Sequence, residues 1–357
     1  MNRHRRALQL IADARPAALD DAPDRPAPYF PDLPAGARSA LRSRRRLVLA
    51  ALLPAAAAGL VAVALIVSTS HTPGAVPEAR PEQSAPPAEP VTARAILLAA
   101  AEKTAALAPE TGGYWVTEQE MYHLYDVGGY RVLGRNKVET WHAMRAGGQF
   151  VIVTRWLGAA PATDADQAAW AAAGSPKQWT SVGPEGKPGR QLSAEPGTRK
   201  VGATTSLGFE LAGRKLTYAQ IQALPTDPDG LKAYLIKADD ETRGELRPGE
   251  LERWRVEMLF SSARNLLTEL PVGPPVRAAT YRMLAGLPGL KLTENVRDEH
   301  GRTGAGIGYA YRNADGSTYE STLVIDPRSG ALLALKEPSS SVVMLGDRFT
   351  DTPPPRS

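Results

Sequence analysis

Residues 149–157 read Gln-Phe-Val-Ile-Val-Thr-Arg-Trp-Leu. In an extended chain Phe150, Ile152, Thr154 and Trp156 fall on one side, and Val151, Val153, Arg155 and Leu157 on the other. Both sides are largely apolar, so the stretch predicts a strand inside a sheet with cover on both faces. Upstream, 114–125 and 130–144 are rich in aromatic and β-branched residues and are separated by Gly128-Gly129, a turn signal. The end of the chain repeats this rhythm. Short alternating runs at 290–296, 307–311, 319–325, 331–336 and 341–345 are broken by Asp298-Glu299-His300-Gly301, Asn313-Ala314-Asp315-Gly316 and Asp326-Pro327-Arg328-Ser329-Gly330. Turns this tight join antiparallel neighbours.

Helical spacing appears at 92–107, where Thr92 suits the N-cap and Pro109 a stop, and again at 217–223, 228–237, 248–270 and 274–287. In the third of these later segments Leu251, Trp254, Met258, Leu259, Ser262, Leu266, Leu267 and Leu270 make one apolar stripe. Asp227 can cap the helix that Pro228 opens. The helices stand between two groups of strands, which predicts an α+β fold: an antiparallel curved sheet with helices packed on one face, half-barrel-like. Between 158 and 214 the periodicity gives way to Gly, Pro, Ala and Lys around Trp170 and Trp179, the pattern of a long loop.

Outward from this domain, Leu47–Val67 (LVLAALLPAAAAGLVAVALIV) carries no charged or hydrogen-bonding side chain. At about 1.5 Å per residue it reaches roughly 30 Å, the thickness of a bilayer's hydrocarbon core. Arg42, Arg44, Arg45 and Arg46 stand directly before it, whereas Glu78 and Arg80 are the charges in the fourteen residues after it. Positive residues stay on the cytoplasmic side, so the expected topology is an uncleaved single-pass anchor in the plasma membrane with the N-terminus inside. The domains expected are a basic, Pro-rich cytoplasmic stub at 1–46, a transmembrane helix at 47–67 and a Pro-rich linker at 68–90. An extracytoplasmic α+β domain at 91–347 and a tail at 348–357 follow.

Composition narrows the chemistry. The 357 residues include no Cys and five scattered His, which removes disulfides, thiol nucleophiles and Cys-based zinc sites. Net charge is +4, but residues 1–46 hold ten Arg, no Lys and five Asp, so the rest of the chain is close to neutral and no nucleic-acid partner is expected. No serine nucleophile elbow, phosphate loop or HExxH is present. Gly304-Ala305-Gly306-Ile307-Gly308 lies among strands without a following helix, and reads as a glycine-bearing strand or bulge. Glu120 and His123, like Glu139 and His142, are three apart on strands and point to opposite faces, the wrong spacing for shared ligation. His300 falls in a turn and reads as facing solvent. These residues nominate no catalytic group, no cofactor and no metal. The aromatic residues of the first strands either pack the core or line a ligand trough. In the second reading Trp115, Met121, Trp141, Phe150 and Trp156 lie between the strands at 114–157 and the helices at 217–287 and accept an acyl chain or apolar peptide.

The segments LPTDPDGLKAYL at 224–235, RAATYRMLAGLPGLKL at 277–292, VRDEHGRTG at 296–304 and VIDPRSGALLA at 324–334 resemble a family of actinobacterial single-pass membrane proteins, many encoded near extracytoplasmic-function sigma factors. The order of sheet and helices also resembles the half-barrels of lipoprotein carriers and sigma regulators. The resemblance implies a single-pass membrane protein, and the sequence as a whole is read as a non-enzymatic, bitopic membrane protein whose external domain binds an envelope ligand or an envelope protein. The alternatives are an anti-sigma-like regulator acting on a cytoplasmic sigma factor through the stub, and a cell-envelope hydrolase. The stub lacks the His/Cys motif of zinc anti-sigma domains.

Overall fold

Thr92 and Asp227 cap their helices as the sequence predicts: the Thr92 hydroxyl accepts from the Ala95 N–H at 3.2 Å and the Asp227 carboxylate from Gly230 N–H at 2.7 Å. The structure, a computed structural model, describes residues 91–356 apart from 146, 184–185, 206–207, 247–248 and 314–315. The expected span at 47–67, its Arg42–Arg46 flank, the stub and the linker lie outside the described residues. Among the described residues no helix is long and apolar enough to cross a membrane.

In chain order the elements are α1 (Ala93–Ala105), β1 (Tyr114–Asp126), β2 (Arg131–Ala143), β3 (Gln149–Pro161), α2 (Asp164–Ala172), β4 (Gln178–Val182), β5 (Pro188–Ser193), β6 (Arg199–Thr205), β7 (Phe209–Leu211), β8 (Arg214–Leu216), α3 (Tyr218–Gln222), α4 (Pro228–Thr242), α5 (Leu251–Thr268), α6 (Pro274–Ala285), β9 (Lys291–Arg297), β10 (Thr303–Arg312), β11 (Thr318–Ile325), β12 (Leu332–Glu337) and β13 (Ser340–Thr350). Nine strands form one antiparallel sheet in the order β6-β3-β2-β1-β13-β12-β11-β10-β9. The two strand groups meet where β1 pairs with β13, from Tyr114 opposite Thr350 to His123 opposite Ser340. The architecture is α+β without a closed barrel, and the helices α4–α6 are inserted between the two halves.

Strand alternation gives this sheet two unlike faces. On one, Trp115, Ile307, Leu323, Ile325 and Leu335 pack against Leu97 of α1, Leu231 and Leu235 of α4, Phe260 and Leu266 of α5 and Leu284 of α6, forming the main core. Trp156, Val132 and Ala159 continue that face towards the far end of β1–β3, where the β4–β5 hairpin and α2 cover them with Trp179, Leu192 and Trp170. On the other face the apolar clusters, Val116-Trp141-Val151-Val153 and Tyr122-Val324-Ala334-Val343, contain strand residues alone, so among the described residues no helix covers it.

Three expectations change. The stretch from 158 to 214 is no open loop: it folds into α2 and β4–β8. Trp179 Nε1 donates to the Tyr130 hydroxyl at 2.8 Å, Trp156 Nε1 to the Ser193 carbonyl at 2.9 Å and Trp170 Nε1 to the Pro176 carbonyl at 2.9 Å, so indoles fix a segment whose strands are too short to show a period. The last strand runs on to Thr350, and Asp351 accepts from the Gly113 N–H at 2.8 Å, so the folded domain does not stop at 347. The α5 stripe is buried from Met258 to Leu270 as read but is broader, taking in the fully buried Phe260 and Ala263, while Trp254 is 37% exposed and its Nε1 donates to Asp239 of α4 at 3.0 Å.

Candidate functional site

Across the open face the pairing register lines up Arg135, Tyr122, Ser341, Lys336 and Thr322 on β2, β1, β13, β12 and β11. One row along lie Lys137, Glu120, Val343, Ala334 and Val324. The β9–β10 turn folds over these rows. Asp298 is buried and accepts the His300 and Arg302 N–H groups at 2.9 Å and Arg302 Nε at 2.6 Å, which fixes the turn. From it Arg302 Nη2 donates to the carbonyls of Leu333 and Met344 at 2.9 and 3.0 Å, beside the irregularities in β12 and β13. Lys336 pairs with Glu299 at 2.7 Å, and His300 Nε2 lies 3.0 Å from a carboxylate oxygen of Glu120. Strand β10 can bend there because Gly304, Gly306 and Gly308 face this side, and its register with β9 slips between Gly304 and Gly306. A Cβ on Gly306 would come 2.7 Å from Val296 Cγ2, so the glycine-bearing bulge read from the sequence is required by the packing.

Glu120 is the centre of a small polar knot. The same carboxylate oxygen accepts the Tyr122 hydroxyl at 2.8 Å and faces His300. Burial pushes the Glu120 carboxyl up, but the hydrogen bonds from His300 and Tyr122 outweigh it and hold the group below the usual carboxylate range. Burial, and then the Glu120 carboxylate, push the Tyr122 phenol well above its ordinary value, so it remains a donor. Beside the knot Glu118 bonds Arg348 at 2.7 Å and Lys137 at 3.4 Å. The Arg348 bond holds the Glu118 carboxyl below its usual range against the opposing effect of burial. Arg348 also stands 5.9 Å from the Trp141 ring centroid, and Trp141 Nε1 donates to Glu139.

An open cleft of about 340 Å³ borders the knot, lined by Tyr122, Leu124, Leu133, Arg131, Lys336 and Ser341 among others. Ser341 is 7% exposed and its Oγ has no hydrogen-bond partner among the described residues. This is a mixed concavity, in which Leu124, Leu133, Ala162 and Pro338 line the wall beside charged and hydroxyl side chains. A base-activated nucleophile is not assembled in it: Tyr122 and His300 both converge on Glu120 rather than on each other. Among the described residues no cluster of His, Asp and Glu has the arrangement of a metal site.

The five residues expected to line an apolar trough are not brought together. Trp115 is 2% exposed, inside the main core against Phe209 and His142. Phe150 lies beside His142, and Trp156 belongs to the separate cluster under the β4–β5 hairpin. Met121 shares their face at the Val342 register position, whereas Trp141, paired in register with Val116 and Val151, is on the opposite, open face. Alternation along β2 separates it from Trp115, whose partner is His142. His300 is exposed, as read, and is also tied across the sheet to Glu120. No local signal marks that link, since Glu120 is 180 residues away. No family model matches this chain, and no curated protein matches it, so the resemblance drawn from its motifs stands on those motifs.

Proposed function

We propose that this chain is a non-enzymatic, single-pass plasma-membrane protein whose extracytoplasmic domain binds an envelope ligand or partner on the open face of its sheet. The observation that carries the reading is the asymmetry of that sheet. One face is filled by helices and the β4–β5 hairpin, and the other holds a cleft and a set of charged side chains with no covering element among the described residues. An antiparallel sheet can pack one face on its core and leave the other in water, where a partner can reach it. Leaving it open while fixing its side chains by ion pairs suits recognition. The basic flank before 47–67 and the resemblance of the motifs at 224–334 support the location and topology.

The test is site-specific photo-crosslinking of the full-length chain in intact cells. A photoreactive residue at Thr322 or Thr350 samples the open face, and one at Lys232 or Lys237 samples α4. Adducts from the open face, absent from α4, are the expected result. Adducts from α4 alone, or from neither face, would discard the reading.

A further inference from the structure

One half of the open face is strongly basic. On β2, β3 and β6 the residues directed to that face include Arg135, Lys137, Arg155 and Arg199, against one carboxylate, Glu139, which is engaged by Trp141 Nε1; Arg131, at the end of β2, is paired with Asp166 at 3.7 Å. Three of the cations form a row: Lys137 is opposite Arg155 in the β2–β3 register, and Arg155 is opposite Arg199 in the β3–β6 register. Like charges directly across from one another destabilise a sheet, so such a row carries a cost in the unbound protein. Lys137 is relieved by Glu118 at 3.4 Å. Arg155 and Arg199 are exposed and have no carboxylate partner among the described residues.

We propose that this row docks a linear phosphate polymer with closely spaced charges. The inference rests on the reading of the open face as a binding surface and names its ligand class. The row runs across the strands, so its cations recur at the strand spacing of about 4.8 Å. A single anion meets one or two of them. An extended acidic peptide presents same-side carboxylates every ~6.6–7 Å and falls out of step with the row. A flexible chain with a phosphate in every repeat can place one against each guanidinium, and the planar forks of Arg155 and Arg199 suit phosphate oxygens. Arg135 extends the same basic surface along β2 towards the cleft at Tyr122, its partner in the β1–β2 register. The neutral balance of the domain as a whole makes this concentration of charge local, not a by-product of a basic protein.

The experiment uses the full chain in detergent and measures binding of long-chain inorganic polyphosphate as salt is varied. Polyphosphate should bind, while orthophosphate and a polyglutamate of similar charge should bind at least tenfold more weakly. R155Q/R199Q should weaken polyphosphate at least tenfold and lower the slope of log K against log salt by about two. K232Q/K237Q removes the same charge from α4 and should leave binding unchanged. Because the row is internally repulsive, R155Q/R199Q should melt no lower than the parent, which separates lost binding from lost folding. Equal binding of polyglutamate or orthophosphate, or equal losses in the two double variants, would overturn the proposal, as would an absence of polyphosphate binding. Such a failure with open-face crosslinks still forming leaves the binding surface standing and removes only this ligand; the two readings therefore fail separately.

Discussion

His142 projects from β2 between Phe150 and Phe209, with ring centroids 4.6 and 4.9 Å away, and Trp115 at 5.6 Å. Its Nδ1 has no hydrogen-bond partner among the described residues. Burial pushes its pKa down to about 4, so the folded protein holds the neutral ring. An unfolded chain protonates it near 6.5 and therefore binds more protons between the two values. Stability should fall as the pH drops from about 6.5 towards 4, by up to about 3 kcal/mol, and level off below that. Urea unfolding of His142→Gln should show a flatter acid limb over that window, and an unchanged limb would count against the burial. Glu120 works in the same direction for another reason. Its lowered pKa stabilises the fold above the unfolded value, near 4.5, and that contribution is lost as the pH falls through the folded one. Glu120→Gln should cost about 1.5–3 kcal/mol at neutral pH, the usual range for hydrogen bonds to a charged group. Tyr122→Phe, which removes one of its donors, should cost less.

Among the elements, α5 separates two kinds of aromatic residue. Phe260 is fully buried and stacks on Tyr309 with centroids 5.4 Å apart, so Phe260→Ala should lose about 3–5 kcal/mol in chemical denaturation. Trp254→Phe gives up the hydrogen bond to Asp239 and should lose about 1 kcal/mol. A reversed ranking would mean that α5 presents a different face to the sheet. The turn between β11 and β12 is as constrained. Gly330 has φ +74°, a Cβ there would lie 2.8 Å from the Ala100 carbonyl oxygen, and its own carbonyl accepts the Tyr281 hydroxyl at 3.1 Å. Gly330→Ala should therefore lower the melting temperature through both backbone strain and a clash with α1. Much of this level was legible in the sequence. Tight turns and alternation located the strands of the main sheet other than β6, and Thr92, Asp227 and Pro228 marked helix starts. Phe260 escaped because it borders the stripe read for α5, and β4–β8 escaped because strands of three to seven residues hold too few repeats for a period. The site was less legible still. Trp115 and Trp141 look alike as residues, and only the β1–β2 register sends them to opposite faces. Glu120 and His300 meet through the bend of β10, which no local pattern encodes.

At the scale of the whole molecule, the proposal links an open recognition face to a chain held at the membrane by residues 47–67. On that proposal the charge bias sets the direction: four arginines precede the span, whereas the segment behind it holds Arg80 against Glu78, Glu82 and Glu89. In the same proposal 68–90, with six prolines in 23 residues, is the linker, and a Pro-rich linker of that length would reach at most about 70 Å at ~3.1 Å per residue. It can therefore hold the domain clear of the lipid and leave either face of the sheet accessible to envelope components. Protease added to spheroplasts should digest the domain from residue 91 onwards and spare a small membrane-bound fragment containing the stub. Replacing Arg42, Arg44, Arg45 and Arg46 with Glu should reduce that digestion, because the positive flank is the part of the sequence that retains the N-terminus inside. Full protection of the parent chain would reverse the orientation and place the open face, with its row of Lys137, Arg155 and Arg199, before cytoplasmic anions instead.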